Sequence, residues 1–532
     1  CPPHRTSIGV VRFNMPKNHL EKSLGALPLL AISTGAIIGS AWMFAPMFVA
    51  QIAGPGAVFS WVIAIAIAMV LALVYAELGA AFPVAGGLAR FSYFSHGNLT
   101  GFVSAIACWL GYVAIAPIEV QAMLRYLAVE WPWLLATDGS GSLSGLGMLT
   151  ATGLLLGMTA INLMGVSWFA ESNKIVTLWK VVIPVSIPIL LMTRGFDSTN
   201  FTDHGGFMPT GWSGVFAGVS TGGALFAMLG FRVAIEMAGE ARNPQRDIPI
   251  ALIGSVLLTG GIYILVQVGF LGAIPKSGLA DGWSKLSSDV ASGPFVELAA
   301  AAGLAWLAKV IFIDSLVSPG GCGLVVSGAS ARLSLAMSHN GQLPNAFARL
   351  NRKGVPAFAL GVNFVVGLVF FAPSQTWQSV VSFLSSIQII SLAFGPLALL
   401  ALRRSAPDVP RGFRLPAAGL VAPVAFVAAN VIVYWCGWET NRVCFGLLAA
   451  LGALFAAIHR FRRSEAALDA EGLRWLLPWM TSMVAISWLG NFGGGAAVIP
   501  PGWDLASIAL MSLVVVRIAM VSPATRLPES ME

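Results

Sequence analysis

Charge is what this chain has least of. Of its 532 residues only 10% are Asp, Glu, Lys or Arg, and 57% are hydrophobic. Water-soluble domains carry about 25% charged residues. The composition therefore excludes a soluble globular protein and makes the bilayer the solvent. Cysteine is nearly as scarce. Cys1, Cys108, Cys322, Cys436 and Cys444 show no metal-ligand spacing. Four of them lie in or beside apolar stretches, which predicts small buried hydrophobes. There is no Walker motif, HExxH, GxSxG or paired-cysteine site. An ATP-driven pump or a membrane hydrolase would need one of these, so neither enzyme activity nor a cofactor or metal is expected. Residues 1–20 lack the apolar core of a signal peptide. The net charge of +7 points to no nucleic-acid partner, because the basic residues sit in short loops, where they orient helices.

Long apolar runs are what the chain does have. A spanning helix needs about 20 mostly apolar residues, and fourteen stretches qualify, from 27–52 to 503–520. The eighth, 298–336, is too long for one crossing. It reads as a span ending near Ala329, then an interfacial helix through Met337. With the N-terminus inside, twenty-two Lys and Arg fall on the cytoplasmic side and five outside. This positive-inside bias predicts an all-α, multi-pass protein of the cell inner membrane with both termini cytoplasmic. Lys180, Arg232 and Lys309 remain inside spans, where a charge is costly and needs a reason.

Glycines interrupt two spans. Gly35-Ala-Ile-Ile-Gly-Ser40 breaks the first, and Gly222 to Gly230 breaks the sixth. The two stand five helices apart and cross in opposite directions. Gly-interrupted helices at matching positions of inverted halves point to a transporter's binding site. The halves are 27–193 and 213–401, which together form a ten-helix core over 27–401. A segment at 1–26 precedes the core, four further spans occupy 402–520, and a tail at 521–532 follows. The basic loop from Arg403 to Arg414 marks the boundary after the core.

Four motifs in order carry a resemblance. They are Gly35-Ala-Ile-Ile-Gly-Ser-Ala41 with Pro46; Tyr75-Ala-Glu-Leu-Gly-Ala-Ala-Phe-Pro83 with Gly86-Gly87; Phe226-Ala-Met-Leu-Gly-Phe231 with Glu240 and Asn243-Pro-Gln-Arg-Asp-Ile-Pro249; and Arg332 with Ala336-Met337 and Asn340-Gly-Gln-Leu-Pro344. Over about residues 20–400 the chain resembles the amino acid–polyamine–organocation permeases. Among bacterial members it is most similar to the aspartate–proton symporter branch. The resemblance implies a leucine-transporter-type five-plus-five inverted repeat, alternating access, and amino acid or amine substrates. It also implies coupling to protons or sodium, or exchange.

An amino acid has two charged poles. Amides at a helix N-terminus suit its carboxylate, and carbonyls at an unwound turn suit its ammonium. The turn Ile38-Gly39-Ser40-Ala41 offers the amides of Gly39, Ser40 and Ala41, in agreement with the family pattern. The carbonyls of Ile37, Phe226, Ala227 and Leu229 offer the opposite pole. The plainer alternative is that these glycines only let helices pack closely. Phe226 matches the family's aromatic gate, or else simply fills the core. Arg232 departs from the acid or neutral residue of many members. It either grips a substrate side-chain carboxylate in a bidentate contact or pairs internally with Glu236 or Glu119.

Lys180 matches the lysine that replaces a sodium ion in proton-coupled members. A buried amine that gains and loses a proton couples that proton to helix contacts; alternatively, Lys180 snorkels to the interface. Asp314, on the same face as Ser318, is its candidate partner in coupling, and Lys309 points elsewhere. Glu77 is expected in a structural salt bridge with a loop. Glu119, beside Pro117, is expected in an outer vestibule. His96, His204 and His339 are expected in solvated loops. Asn200-Phe-Thr202 reads as a chance sequon. These features predict a proton-coupled amino acid symporter, one that favours acidic substrates if Arg232 grips a substrate carboxylate. An amino acid antiporter, a membrane amino acid sensor without net transport, and a channel are the alternatives.

Overall fold

The computed structural model describes residues 22–138, 141–164, 166–286, 293–372, 377–461 and 470–521. Most of the expected segment 1–26, nearly all of the expected tail 521–532, Cys1 and the side chain of Lys174 lie outside the described residues. Among the described residues nineteen α-helices follow one another. They are α1 (Ala26–Ile37), α2 (Ala41–Ala53), α3 (Ala57–Ala81), α4 (Gly87–Val113), α5 (Ile115–Leu127), α6 (Gly145–Leu163), α7 (Val166–Arg194), α8 (Gly211–Ser220), α9 (Ala224–Met228), α10 (Val233–Glu236) and α11 (Pro244–Ala273). Then come α12 (Pro294–Ala301), α13 (Ala305–His339), α14 (Ala357–Gly367), α15 (Trp377–Ser405), α16 (Ala418–Trp435), α17 (Trp438–Phe461), α18 (Leu473–Leu489) and α19 (Trp503–Val521). Among the described residues there is no β-strand, only two isolated bridges.

Ten helical stretches among the described residues are long and apolar enough to cross a bilayer, or eleven if the bent pair formed by α8 and α9–α10 is one span. Two of the ten, Ala41–Ala81 and Gly87–Leu127, run for 41 residues each. At 1.5 Å per residue that is about 60 Å, twice the hydrocarbon thickness. Each is interrupted: the first at Gly54, whose φ is +60°, and the second at Gly97, whose φ is +82°.

The eighth stretch departs from expectation. Gly303, with φ +72°, ends the short helix α12. After it α13 runs unbroken for 35 residues to His339. The expected separate interfacial helix is therefore the continuation of α13. At about 52 Å that helix outreaches the bilayer core and carries its last turns beyond it.

The centre of the molecule is α1, which packs against α11, α13 and α7. Helices α16 and α17 lie on α15, and α19 joins them on the same flank. Large apolar side chains such as Leu149, Ile175, Leu257, Val369, Leu420 and Leu510 point outward. In water this would be a liability, and against acyl chains it is the expected surface. The exposed tryptophans among the described residues (Trp131, Trp133, Trp212, Trp306, Trp488 and Trp503) all sit at helix ends or in loops, where an interfacial belt places them. Cys108, Cys322, Cys436 and Cys444 are buried free thiols. Asn200 is buried, its amide donating to the Leu271 and Ile274 carbonyls at 2.9 Å, so the sequon side chain is not offered to solvent.

Candidate functional site

The first broken helix is built around Gly39. A Cβ there would lie 2.6 Å from Glu119 Oε1 and 2.9 Å from the Cys322 Cβ, so only glycine lets the chain pass. α1 stops at Ile37, Ile38 is extended, and α2 restarts at Ala41. The break frees carbonyls at one half-helix end and amides at the other. Side chains of matching charge meet both. Lys180 Nζ donates to the Gly35 carbonyl at 2.7 Å, and the Tyr263 hydroxyl donates to the Ile37 carbonyl at 3.0 Å. Across the gap the Ser40 amide donates to Glu119 Oε2 at 2.7 Å, and Trp377 Nε1 donates to the Ser40 hydroxyl at 3.2 Å. A cation thus caps the negative end of α1 and a carboxylate caps the positive end of α2, as the half-helix dipoles favour. Both charged side chains are buried.

The second break lies against the first. Gly223 takes φ +92°, and α8 and α9–α10 bend by 43° around it. A Cβ on Gly230 would lie 2.5 Å from the Ala36 and Ile37 backbone, so the two broken helices touch main chain to main chain. The Ser33 hydroxyl ties them together by donating to the Phe231 carbonyl at 3.2 Å.

Between the breaks lies a small cavity of about 20 Å³. Of the residues singled out in the sequence, Ile37, Ala41, Glu119, Phe226, Ala227, Leu229 and Arg232 line it. Ile38, Gly39 and Ser40 form the adjoining turn. Lys180 stands behind α1 rather than in the cavity, and Asp314 stands farther back. The oxygens of Asp314 accept from Trp179 Nε1 at 2.6 Å, the Ser318 hydroxyl at 2.7 Å and Trp42 Nε1 at 3.1 Å. Among the described residues no ion pair joins Asp314 to Lys180.

Arg232 is 1% exposed, and its guanidinium lies over the Tyr112 ring, 4.1 Å from the centroid. Neither internal partner anticipated for it is in place: among the described residues it makes no ion pair with Glu236 or Glu119. Its Nη1 and Nη2 have no hydrogen-bond partner, and neither have the two oxygens of buried Glu236. Unpartnered buried charge is costly, and it marks a place where a ligand or a proton is handled.

Sequence reasoning put Glu119 in an outer vestibule; it is instead buried on the Ser40 amide. An acid inside an apolar span was the signal, but nothing local says which helix it faces. Tyr112, Gln388 and Cys322 also line the cavity, and sequence reasoning missed all three. His96 is not in a solvated loop. It is buried within α4, with Nδ1 2.8 Å from the Ser95 hydroxyl and its ring against Trp475. His339 is half-buried at the end of α13, and Arg90 Nη2 lies 3.4 Å from its Nδ1. His204 lies exposed in a turn, as expected. Lys309 is exposed on α13, on a different side from buried Asp314.

Glu77 is the hub of the salt bridge expected of it. It accepts from Arg403 Nε at 2.8 Å and from the Leu415 amide at 2.7 Å, with Arg411 Nε at 3.2 Å. A second clamp joins Arg332 Nε to Glu240 Oε1 at 2.9 Å.

A protein-family model described as "Amino acid permease" matches residues 24–454. The chain belongs to this family. Two relatives align along nearly the whole permease. The "Glutamate/serine transporter AimA" of Bacillus subtilis (strain 168) is 36% identical over 505 residues, covering 93% of this chain and 93% of that protein. The "Aspartate-proton symporter" of the same organism is 35% identical over 503 residues, covering 94% and 96%. A "Branched-chain amino acid permease BcaP" from that organism is 27% identical, over 79% of this chain and 89% of that protein. The permease is therefore an amino acid transporter and not an enzyme, and it is a multi-pass protein of the inner membrane.

Proposed function

We propose that this permease is a proton-coupled symporter that favours acidic amino acids and works by alternating access. The observation that carries the proposal is Arg232: a buried guanidinium on the cavity wall whose two terminal nitrogens have no partner. A planar fork of donors fits a carboxylate. The printed names of two relatives, a glutamate/serine transporter and an aspartate–proton symporter, agree with it.

On this reading the chain has fourteen spans. The first ten form two inverted five-helix repeats, 27–193 and 213–401, and four more follow in 402–520. With fourteen spans, all six exposed tryptophans among the described residues fall at the same face of the membrane, which supports that span count. The substrate's α-carboxylate takes the amides of Gly39, Ser40 and Ala41. An internal carboxylate, Glu119, already uses the Ser40 amide, which supports the chemistry and requires Glu119 to give way. The Ile37 carbonyl accepts from both Tyr263 and the Gly39 amide. When the Gly39 amide turns to the substrate carboxylate, one lone pair of Ile37 is freed, so the ammonium takes the carbonyls of Ile37, Phe226, Ala227 and Leu229, with the Phe226 ring as the gate.

Proton coupling runs through Lys180. The charged amine holds the end of α1 at the Gly35 carbonyl, and the neutral amine lets go. Asp314 bonds the indole of Trp179, next to Lys180, and the indole of Trp42 on α2, so it positions the lysine's helix relative to the first span.

A thermal-shift screen of the purified protein across the amino acids tests the ligand class. Aspartate or glutamate should raise the melting temperature, and lysine and arginine should not. Stabilisation by the basic pair alone would overturn the acidic reading.

A further inference from the structure

Arg232 and Glu236 form a buried pair of opposite charges that do not touch. Glu236 is 0% exposed, faces the Tyr112 hydroxyl with no closer hydrogen-bond partner in place, and makes no ion pair with Arg232 among the described residues. The groups facing it from the surrounding helices are few. Tyr112 and Cys108 come from α4, Tyr75 from α3 and Arg332 from α13. The residues of α1 include no titratable group, and Asp247 of α11 is engaged by the Asn243 amide. Arg332 is committed to Glu240 at 2.9 Å, and Lys180 to the Gly35 carbonyl. Among the described residues, Arg232 is thus the cation left to answer both Glu236 and any anion that enters the cavity beside it.

We infer that Glu236 is a proton-binding site that fills when a substrate brings a side-chain carboxylate to Arg232, so that acidic amino acids are taken up with one more proton than neutral ones. This rests on the reading that Arg232 holds that carboxylate. With the cavity empty, Arg232 and Glu236 balance. A second carboxylate leaves one negative charge uncompensated in an apolar enclosure, where carboxylates sharing a site do not both stay ionised. A proton from the entry side adds to a Glu236 oxygen, forming one O–H bond. It leaves on the other side when the substrate departs and Arg232 again faces Glu236 alone. A neutral side chain brings no charge, and Glu236 stays ionised. The cluster therefore sets a proton count that depends on the substrate, independently of Lys180.

Calorimetry on the purified full chain tests this. Aspartate and its neutral isostere asparagine are titrated in buffers of different ionisation enthalpy, which yields the protons taken up per ligand bound. Aspartate should take up close to one proton more than asparagine, and its affinity should fall about tenfold per pH unit above the titration of Glu236. Glu236→Gln should erase the difference between the two ligands. Equal proton uptake in the unmodified protein, with aspartate still weakened by Arg232→Ala, overturns the proton site and leaves the Arg232 reading standing. Aspartate binding that is indifferent to Arg232→Ala, or absent, overturns both.

Discussion

Arg232→Ala should weaken aspartate and glutamate by 100-fold or more, and neutral amino acids far less. The reason is geometric. The guanidinium is fixed over Tyr112, on the wall of the cavity between the two broken helices, with both terminal nitrogens free to donate. Removing one partner of a buried, hydrogen-bonded charge pair costs about 3 kcal/mol, and that is more than 100-fold in affinity. Arg232→Lys keeps the charge and loses the planar fork, so it should recover only part of the loss. Competition binding with aspartate against serine measures the ratio directly. Equal loss for both would return Arg232 to a purely internal role.

Lys180→Ala should abolish uphill accumulation of a neutral amino acid such as serine while leaving its binding measurable. The ammonium is the side-chain donor to the Gly35 carbonyl and caps the negative end of α1 beside the break. Without it the first half-helix loses the contact whose strength follows protonation. Serine uptake should then no longer rise as the outside is acidified, and internal serine should not exceed the external concentration. Lys180→Arg separates charge from titration, because arginine keeps its proton at any relevant pH. It should bind substrate and still fail to accumulate it. An unchanged pH response in Lys180→Ala would remove Lys180 from the coupling step.

The parts of this site that were legible in the sequence were those where lipid makes an oddity expensive. Glycines at 35, 39, 222, 223 and 230 weaken a helix in a solvent that punishes broken backbone, and they stand at or beside the breaks. Arg232 and Lys180 stood out because a charge in an apolar run needs a partner. Of the residues expected to meet substrate through their backbone, Ile37, Ala41, Phe226, Ala227 and Leu229 line the cavity.

Facing relations between distant helices were not legible. Glu119 stands 79 residues from Ser40 and Lys180 stands 145 from Gly35, and no local pattern sets which face of α5 or α7 turns toward α1. The distance between Arg232 and Glu236 was also hidden. An i, i+4 spacing promises an ion pair on a regular helix, but these residues span the junction of a 3₁₀ turn and a short α-helix, where that register does not hold. His96 was misplaced for a related reason. Its small and polar neighbours read as a loop, yet the helix α4 carries on past a kink at Gly97 and buries the ring against Trp475.

The most direct measurement is uptake of radiolabelled aspartate into proteoliposomes, with the outside acid, the inside neutral and no sodium on either side. Aspartate should accumulate above the external concentration, and the gradient should collapse when a protonophore is added. Uptake that needs sodium and ignores the protonophore would contradict proton coupling.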